Sequence, residues 1–414
     1  MASLDGAKIQ KGKVGANALA VSDGVSGLLA AAPAAANLPI GTVKGIYNLV
    51  DAENLGITPA YDKTNDVNVY RHINEFYRLA GEGTKLYILL ADQATTLVEM
   101  CESANDTLCK ALITEAEGTI RQIALSVNPT GVTTMLNGMP ADVYNVIAKA
   151  QLLYKWADDN FMSCNILLEG YDFGGNGAAS ADLRAIENVA APNVSVVIGQ
   201  DFNYASGLVD NAKKMADVGT ALGTVSAAAI NQNIGDNESF NLTDGIKGKW
   251  LVAGLSNNKT IKSQLSHLQT LDDKGYLFGT TYPPMAGVRW NNDHTCVEII
   301  QDAEGNINEH TIAYGRTHDK ARRLLRNALL PKVKTKQPVD KSGKLPTGVI
   351  KYFENLGDTV FADMETATEI SSGKTSVDPN SDLITAKELI VKFQIVPYGT
   401  VVKINGTSNL KNSI

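Results

Sequence analysis

Two hydrophobic periods alternate along the chain. VNVYRHINEFYRLAG places Val69, Ile73, Phe76, Tyr77 and Leu79 near one helical face, and Gly81 follows as a stop signal. LYILLA, from Leu86 to Ala91, is then a short apolar run of the kind a buried strand carries. The pattern repeats downstream: helical signal at 93–113, strand-like RQIALSV at 121–127, a helix at 140–160, strand-like CNILLEG at 164–170 and VSVVIGQD at 194–201, then an Ala-rich helix over 208–230. Strands alternating with helices predict an α/β fold, a layered mixed sheet, largely parallel, with flanking helices.

The flanks read differently. Residues 1–40 are rich in Ala, Gly and Lys with weak periodicity, which predicts an extended N-terminal arm rather than a core element. After Asn231 the polar, turn-rich NQNIGDNESFNLTDG suggests a junction, so the expected units are 41–240 and 241–398. The second contains YLFGTTY at 276–282 and a basic helix, and it leads into KELIVKFQIVPYGTVVKINGTS. There Leu389, Val391, Phe393 and Ile395 alternate, and Pro397, Tyr398 and Gly399 fit a turn, predicting a C-terminal β-hairpin whose outer part, 399–414, is free to act as an exchange arm.

Charge is unevenly placed. The 414 residues hold 37 Lys and Arg against 44 Asp and Glu, a net −7, yet RTHDKARRLLRNALLPKVKTKQP (Arg316 to Pro338) is strongly basic. Thr317 can cap a helix there, Asp319 suits its first turn and Pro331 ends it, giving a predicted helix over 317–330. Ala321, Leu324, Leu325, Ala328 and Leu329 form its apolar stripe. Arg316, Lys320 and Arg323 make one basic stripe, and Arg322 and Arg326 a second. With Lys332, Lys334 and Lys336 beyond, these charges repel one another unless a negative surface faces them. The overall acidity and the lack of interleaved aromatics argue against nucleic acid and for an acidic protein partner.

Signals for catalysis are weak. Gly175 and Gly177 after CNILLEG, a helix-like ADLRAIENV, and Asp201 at the next strand's end partly match a dinucleotide fingerprint. YDFG intervenes, however, where the glycines should follow the strand directly. DGIKGKW lacks the first glycine and the hydroxyl of a P-loop. His294 and Cys296 share a strand face but lack the partners of a zinc or nucleophile site. Cys101, Cys109, Cys164 and Cys296 lack C-x-x-C spacing and suit a reducing compartment. Lys8, Lys11 and Lys13 precede an apolar stretch, but Ser22 and Asp23 interrupt it, so a secretory signal is not expected. No run is long enough to span a membrane. No catalytic residue, metal or cofactor is expected.

Three stretches in order, DGVSGLL (Asp23 to Leu29), GRTHDKARRLLRNAL (Gly315 to Leu329) and the closing hairpin, resemble a contractile tail sheath protein of phages and related contractile injection systems. The resemblance covers about a third of the chain. It implies a structural subunit that stacks in rings around an inner tube and contracts by rigid-body rearrangement to drive the tube through a target envelope. Arms at 7–20 and 400–411 would add strands to neighbouring subunits, with Ile9, Val14, Val401, Val402, Lys403 and Ile404 as exchange residues. The helix at 317–330 would line the inner wall, Arg316, Lys320, Arg322, Arg323 and Arg326 meeting acidic tube residues in contacts worth about 1 kcal/mol or less each. Implied partners are further copies of the chain, the inner tube protein, and baseplate and terminator proteins, with no nucleic acid and no direct membrane insertion. The implied location is the contractile tail of a virion, assembled in the host bacterial cytoplasm. A Rossmann-like NAD(P)-dependent oxidoreductase using Gly175, Gly177 and Asp201, or another self-assembling shell or surface protein, are the alternatives.

Overall fold

A computed structural model describes residues 22–128, 131–209 and 212–411. Its main sheet is built from β1 (Ser26–Ala31), β2 (Lys44–Ile46), β3 (Leu86–Ala91), β4 (Gln122–Ser126), β5 (Asn165–Glu169), β6 (Val194–Val197) and β7 (Tyr276–Leu277). The strand order is β7-β6-β5-β4-β1-β3-β2. Every pairing is parallel except that of β2 with β3. The helices α1 (Val69–Ala80), α2 (Ala141–Asp159) and α3 (Val218–Ala227) belong to the same unit. The expected mixed α/β sheet with flanking helices is what forms, β3 spans the predicted Leu86–Ala91, and α1 ends at the predicted Gly81 stop.

The N-terminal reading is corrected here. SGLLAA is no arm: β1 lies at the centre of the sheet, buried along its whole length, with Leu28 in register with Ile88 on one side and Ala124 on the other. A central parallel strand is covered on both faces, so it shows a continuous apolar run and no alternation. Among alanines, that run looked like loose chain. The Ala-rich helix over 208–230 shrinks to α3, and the helical signal at 93–113 yields only Leu97–Met100 and Cys109–Glu115.

The junction expected near 240 is also corrected. β7, beyond it, pairs with β6, before it, and one apolar core runs from Val25 to Ile312. A second unit begins with α4 (Ile312–Leu329), continues through α5 (Thr347–Thr366), and ends in β8 (Ser372–Val377) and β9 (Val391–Val396). Its cores gather Ala321, Leu325, Phe361 and Met364, and then Leu345, Val349, Phe353 and Val377. α4 therefore has its first turn in one core and its last turns in another.

Two features lock α1 to α3. A Cβ on Gly219 would stand 2.5 Å from the His72 backbone, and one on Gly223 would stand 2.9 Å from that of Phe76, so the helices cross almost backbone to backbone. Beside the crossing, fully buried Arg71 binds Asp217 at 3.0 Å, Glu75 at 3.2 Å and Asp201 at 3.3 Å. Such a network is costly to bury and costlier to break. At the crossing His72 accepts from the Gly219 N–H, and burial pushes its imidazole down to about 4.

Gly219→Ala is expected to destabilise the fold by about 3 kcal/mol or more, because the colliding atoms are backbone and cannot move aside. Gly245→Ala, where a Cβ meets nothing within 4 Å, is the neutral control. Urea denaturation of both variants checks this. Stability should also fall as pH drops from about 6.5 toward 4, since the unfolded His72 takes up a proton that the folded one refuses. Retention of a neutral His72 ring down to about pH 5 by NMR, together with that acid slope, is the expected result.

Candidate functional site

The basic helix is longer than its sequence suggested. Thr311, not Thr317, caps α4, its hydroxyl accepting from the Tyr314 N–H at 3.1 Å. Gly315 sits inside the helix, where a Cβ would come within about 3.4 Å of Asn165 and Asn193. Thr317 and Asp319 are buried mid-helix. The expected apolar stripe holds: Ala321 and Leu325 are buried, and Leu324 and Leu329 pack against the second core.

The positive charges meet acids of the same chain. Arg316 is only 3% exposed and donates to the carbonyls of Ala228 and Ala229 at 3.3 Å and to that of Asp23 at 3.4 Å. Ala228 closes α3, so this guanidinium satisfies carbonyls left open at that helix end. Lys320 pairs with one Asp23 carboxylate oxygen at 2.6 Å and also with Glu369, which follows α5. Arg323 takes the other Asp23 oxygen at 2.9 Å. Arg322 binds Asp158 of α2 at 2.6 Å and Asp319 at 3.5 Å. Arg326 lies over the Phe161 ring, 3.8 Å from its centroid.

This changes the electrostatic picture. The negative surface that the basic stripes demanded is supplied by Asp23, Asp158, Asp319 and Glu369. Burial pulls the Arg316 guanidinium down to about 10, still cationic at neutral pH, and pushes Asp319 up to about 6 despite the Tyr154 hydroxyl donating to it at 2.6 Å. The reading of Arg316 as a surface contact is corrected: it is a buried tie between α4, α3 and the start of β1. Arg322, whose side chain is 38% exposed, and Arg326, over a ring that is 65% exposed, lie nearest to solvent, with exposed Lys334 and Lys336 following.

The C-terminal hairpin is corrected too. β9 does pair antiparallel, but with β8, Thr375 lying opposite Phe393. Residues 397–411 carry no strand, and Val401, Val402 and Ile404 are 76%, 63% and 87% exposed, with Lys403 exposed among them. The turn at Pro397 to Gly399 does not return the chain onto β9, and the elements sequence reading missed include β8 and α5, whose Val349, Phe353 and Phe361 spacing announces a helix. Beside the outer edge of β9 runs a groove of about 730 Å³ lined by Pro192, Val297, Ile300, Ile307, Phe393 and Ile395. Ile9 and Val14 of the proposed N-terminal arm lie outside the described residues.

The dinucleotide reading does not survive. No helix follows Gly175 and Gly177, the segment ADLRAIENV being turns. Gly175 packs instead against Asn257 and Gly177 against His267. Asp201 is buried, accepting from the Trp250 N–H at 2.9 Å beside Arg71. His294 bridges Arg184 at 2.6 Å and Asp272 at 2.8 Å, and burial pushes the Cys296 thiol up to about 12, unsuited to a nucleophile. The four cysteines are free and buried.

Comparison with solved structures gives matches over the whole length. A chain of the anti-feeding prophage helical sheath in contracted state superposes with a TM-score of 0.60 at 14% identity, over 99% of each chain. A chain of the anti-feeding prophage baseplate, 6-fold symmetrised, gives 0.60 at 13%, over 99% of this chain and 100% of that one. A chain of the same particle's baseplate in contracted state gives 0.54 at 11%, over 99% and 100%. At these identities the likeness is one of fold. No curated protein matches the sequence. The sequence itself matches the DUF2586 N-terminal domain over residues 9–294 and the DUF2586 C-terminal domain over 310–414, a division that falls where α4 leaves the first core. The chain belongs to the DUF2586 family.

Proposed function

We propose that this chain is the structural sheath subunit of a contractile injection particle, stacking with its own copies around an inner tube and contracting by rigid-body rearrangement. The observation that carries the reading is the end-to-end likeness to the contracted anti-feeding prophage sheath, joined to an apolar tail that nothing among the described residues covers. A tail exposing Val401, Val402 and Ile404 is costly alone and is covered when it adds to a neighbour's sheet. Main-chain bonds of that kind survive while the folded units rotate, so the lattice rearranges without coming apart.

Within this reading the arginines divide their work. Arg316, Lys320 and Arg323 hold the two units together through Asp23, whereas Arg322 and Arg326, with Lys334 and Lys336, face an acidic tube. Contacts of about 1 kcal/mol or less, repeated around many rings, hold an extended state yet part sequentially. The tube, baseplate and terminator proteins are the further partners, the contractile tail is the location, and assembly takes place in the host bacterial cytoplasm. The role is mechanical, not catalytic.

Negative-stain microscopy of the purified chain should show hollow striated cylinders, and deletion of residues 400–411 should leave a folded monomer that no longer forms them. Cylinders that persist after the deletion would contradict the exchange role of the tail. Arg316→Gln should cost roughly 2–4 kcal/mol in urea denaturation, as loss of a buried charged donor does. Arg326→Glu should cost under about 1 kcal/mol but weaken binding to the tube protein in a salt-sensitive way.

A further inference from the structure

The sheet formed by β8 and β9 has two outer edges, and they differ. The Asp378 N–H donates to the Ile390 carbonyl at 2.9 Å, which sets the alternation of the antiparallel ladder. Residues 372, 374 and 376 therefore exchange bonds with β9, and the N–H groups of Gly373, Thr375 and Val377 point the other way. Each of those three meets a carboxylate of α5: Gly373 donates to Glu365 at 2.8 Å, Thr375 to Asp358 at 2.7 Å and Val377 to Glu354 at 3.3 Å. Glu354, Asp358 and Glu365 stand four and seven residues apart, which places them in one stripe along the helix with Phe361 packed between them. Gly357 brings the helix close, because a Cβ there would stand 2.1 Å from the Thr375 hydroxyl.

On β9 the same alternation turns the N–H groups of Val391, Phe393 and Ile395 outward, and no partner for them occurs among the described residues. That edge borders the apolar groove that Ile300 and Ile307 line. We infer that strand addition to this chain is one-sided: the carboxylates of α5 close the edge of β8, and the edge of β9 takes an extended segment of a second copy, its residues 400–411. The inference rests on the strand-exchange reading above and adds which edge is used and what closes the other.

The physics favours that direction. An incoming strand at β8 would have to displace three charge-assisted bonds and set its own carbonyls against the carboxylates. At β9 it would supply partners to three open donors and cover Val401, Val402 and Ile404 in the groove. An open edge is a hazard, and here one edge is guarded while the other is kept for use.

Residue-resolved hydrogen exchange on the full chain tests this, before and after assembly. In the unassembled chain the amides of Gly373, Thr375 and Val377 should exchange on the order of ten-fold or more slowly than those of Val391, Phe393 and Ile395. On assembly the second set should slow by a similar factor and the first should not change. Protection gained at Gly373, Thr375 and Val377 on assembly would overturn one-sided addition while leaving strand exchange standing. Assembly with no change at Val391, Phe393 and Ile395 would overturn both. The set Glu354→Gln, Asp358→Asn and Glu365→Gln, similar in shape but uncharged, should speed exchange at the first three amides. Unchanged exchange there would show that the carboxylates do not close the edge.

Discussion

One carboxylate ties the molecule together. Asp23 stands just before β1, the strand on which the main sheet is centred, and its two oxygens are held by Lys320 and Arg323 while its carbonyl receives Arg316. Lys320 also reaches Glu369 in the second unit. The first core, the helix that joins the units, and the sheet that carries the open edge are thus fixed relative to one another through a few buried or half-buried charges. Loss of one partner leaves the others uncompensated, which is why such a cluster is strongly cooperative.

That arrangement explains why an acidic chain concentrates positive charge in one helix. The helix is a joint. Its buried face follows from apolar spacing, but its charged faces are matched by acids brought from the start of β1, from α2 and from beyond α5. Only the outermost arginines are left to face a partner. In the proposed function, stability and docking therefore fall to different stripes of the same helix: the inner one to strong, desolvated contacts and the outer one to weak, screened contacts.

Much of the first unit was legible because parallel strands and amphipathic helices carry local signatures. The Gly81 stop of α1 and the apolar run of β3 were readable to the residue. β1 was not, since its six small and apolar residues acquire meaning only from neighbours 60 and 96 positions away, Leu86 and Gln122 lying opposite Ser26. The hairpin failed for a related reason. The alternation of Val391, Phe393 and Ile395 marked a strand correctly, but its partner lies before it across a loop and not after the Pro397 turn. Pairing is a tertiary choice, and here α5 places β8 within reach first. The basic residues were all visible, whereas their intrachain acids were not, because the contacts span up to 300 positions.

The central claim is that copies of this chain are joined by a tail laid along β9. A helical reconstruction of the assembled protein at side-chain resolution tests it most directly. The account predicts density for residues 400–411 of a neighbouring copy running along Val391 to Val396, with the α5 carboxylates still on β8. A tail folded back onto its own β9, with adjacent copies joined by side-chain contacts alone, would contradict it.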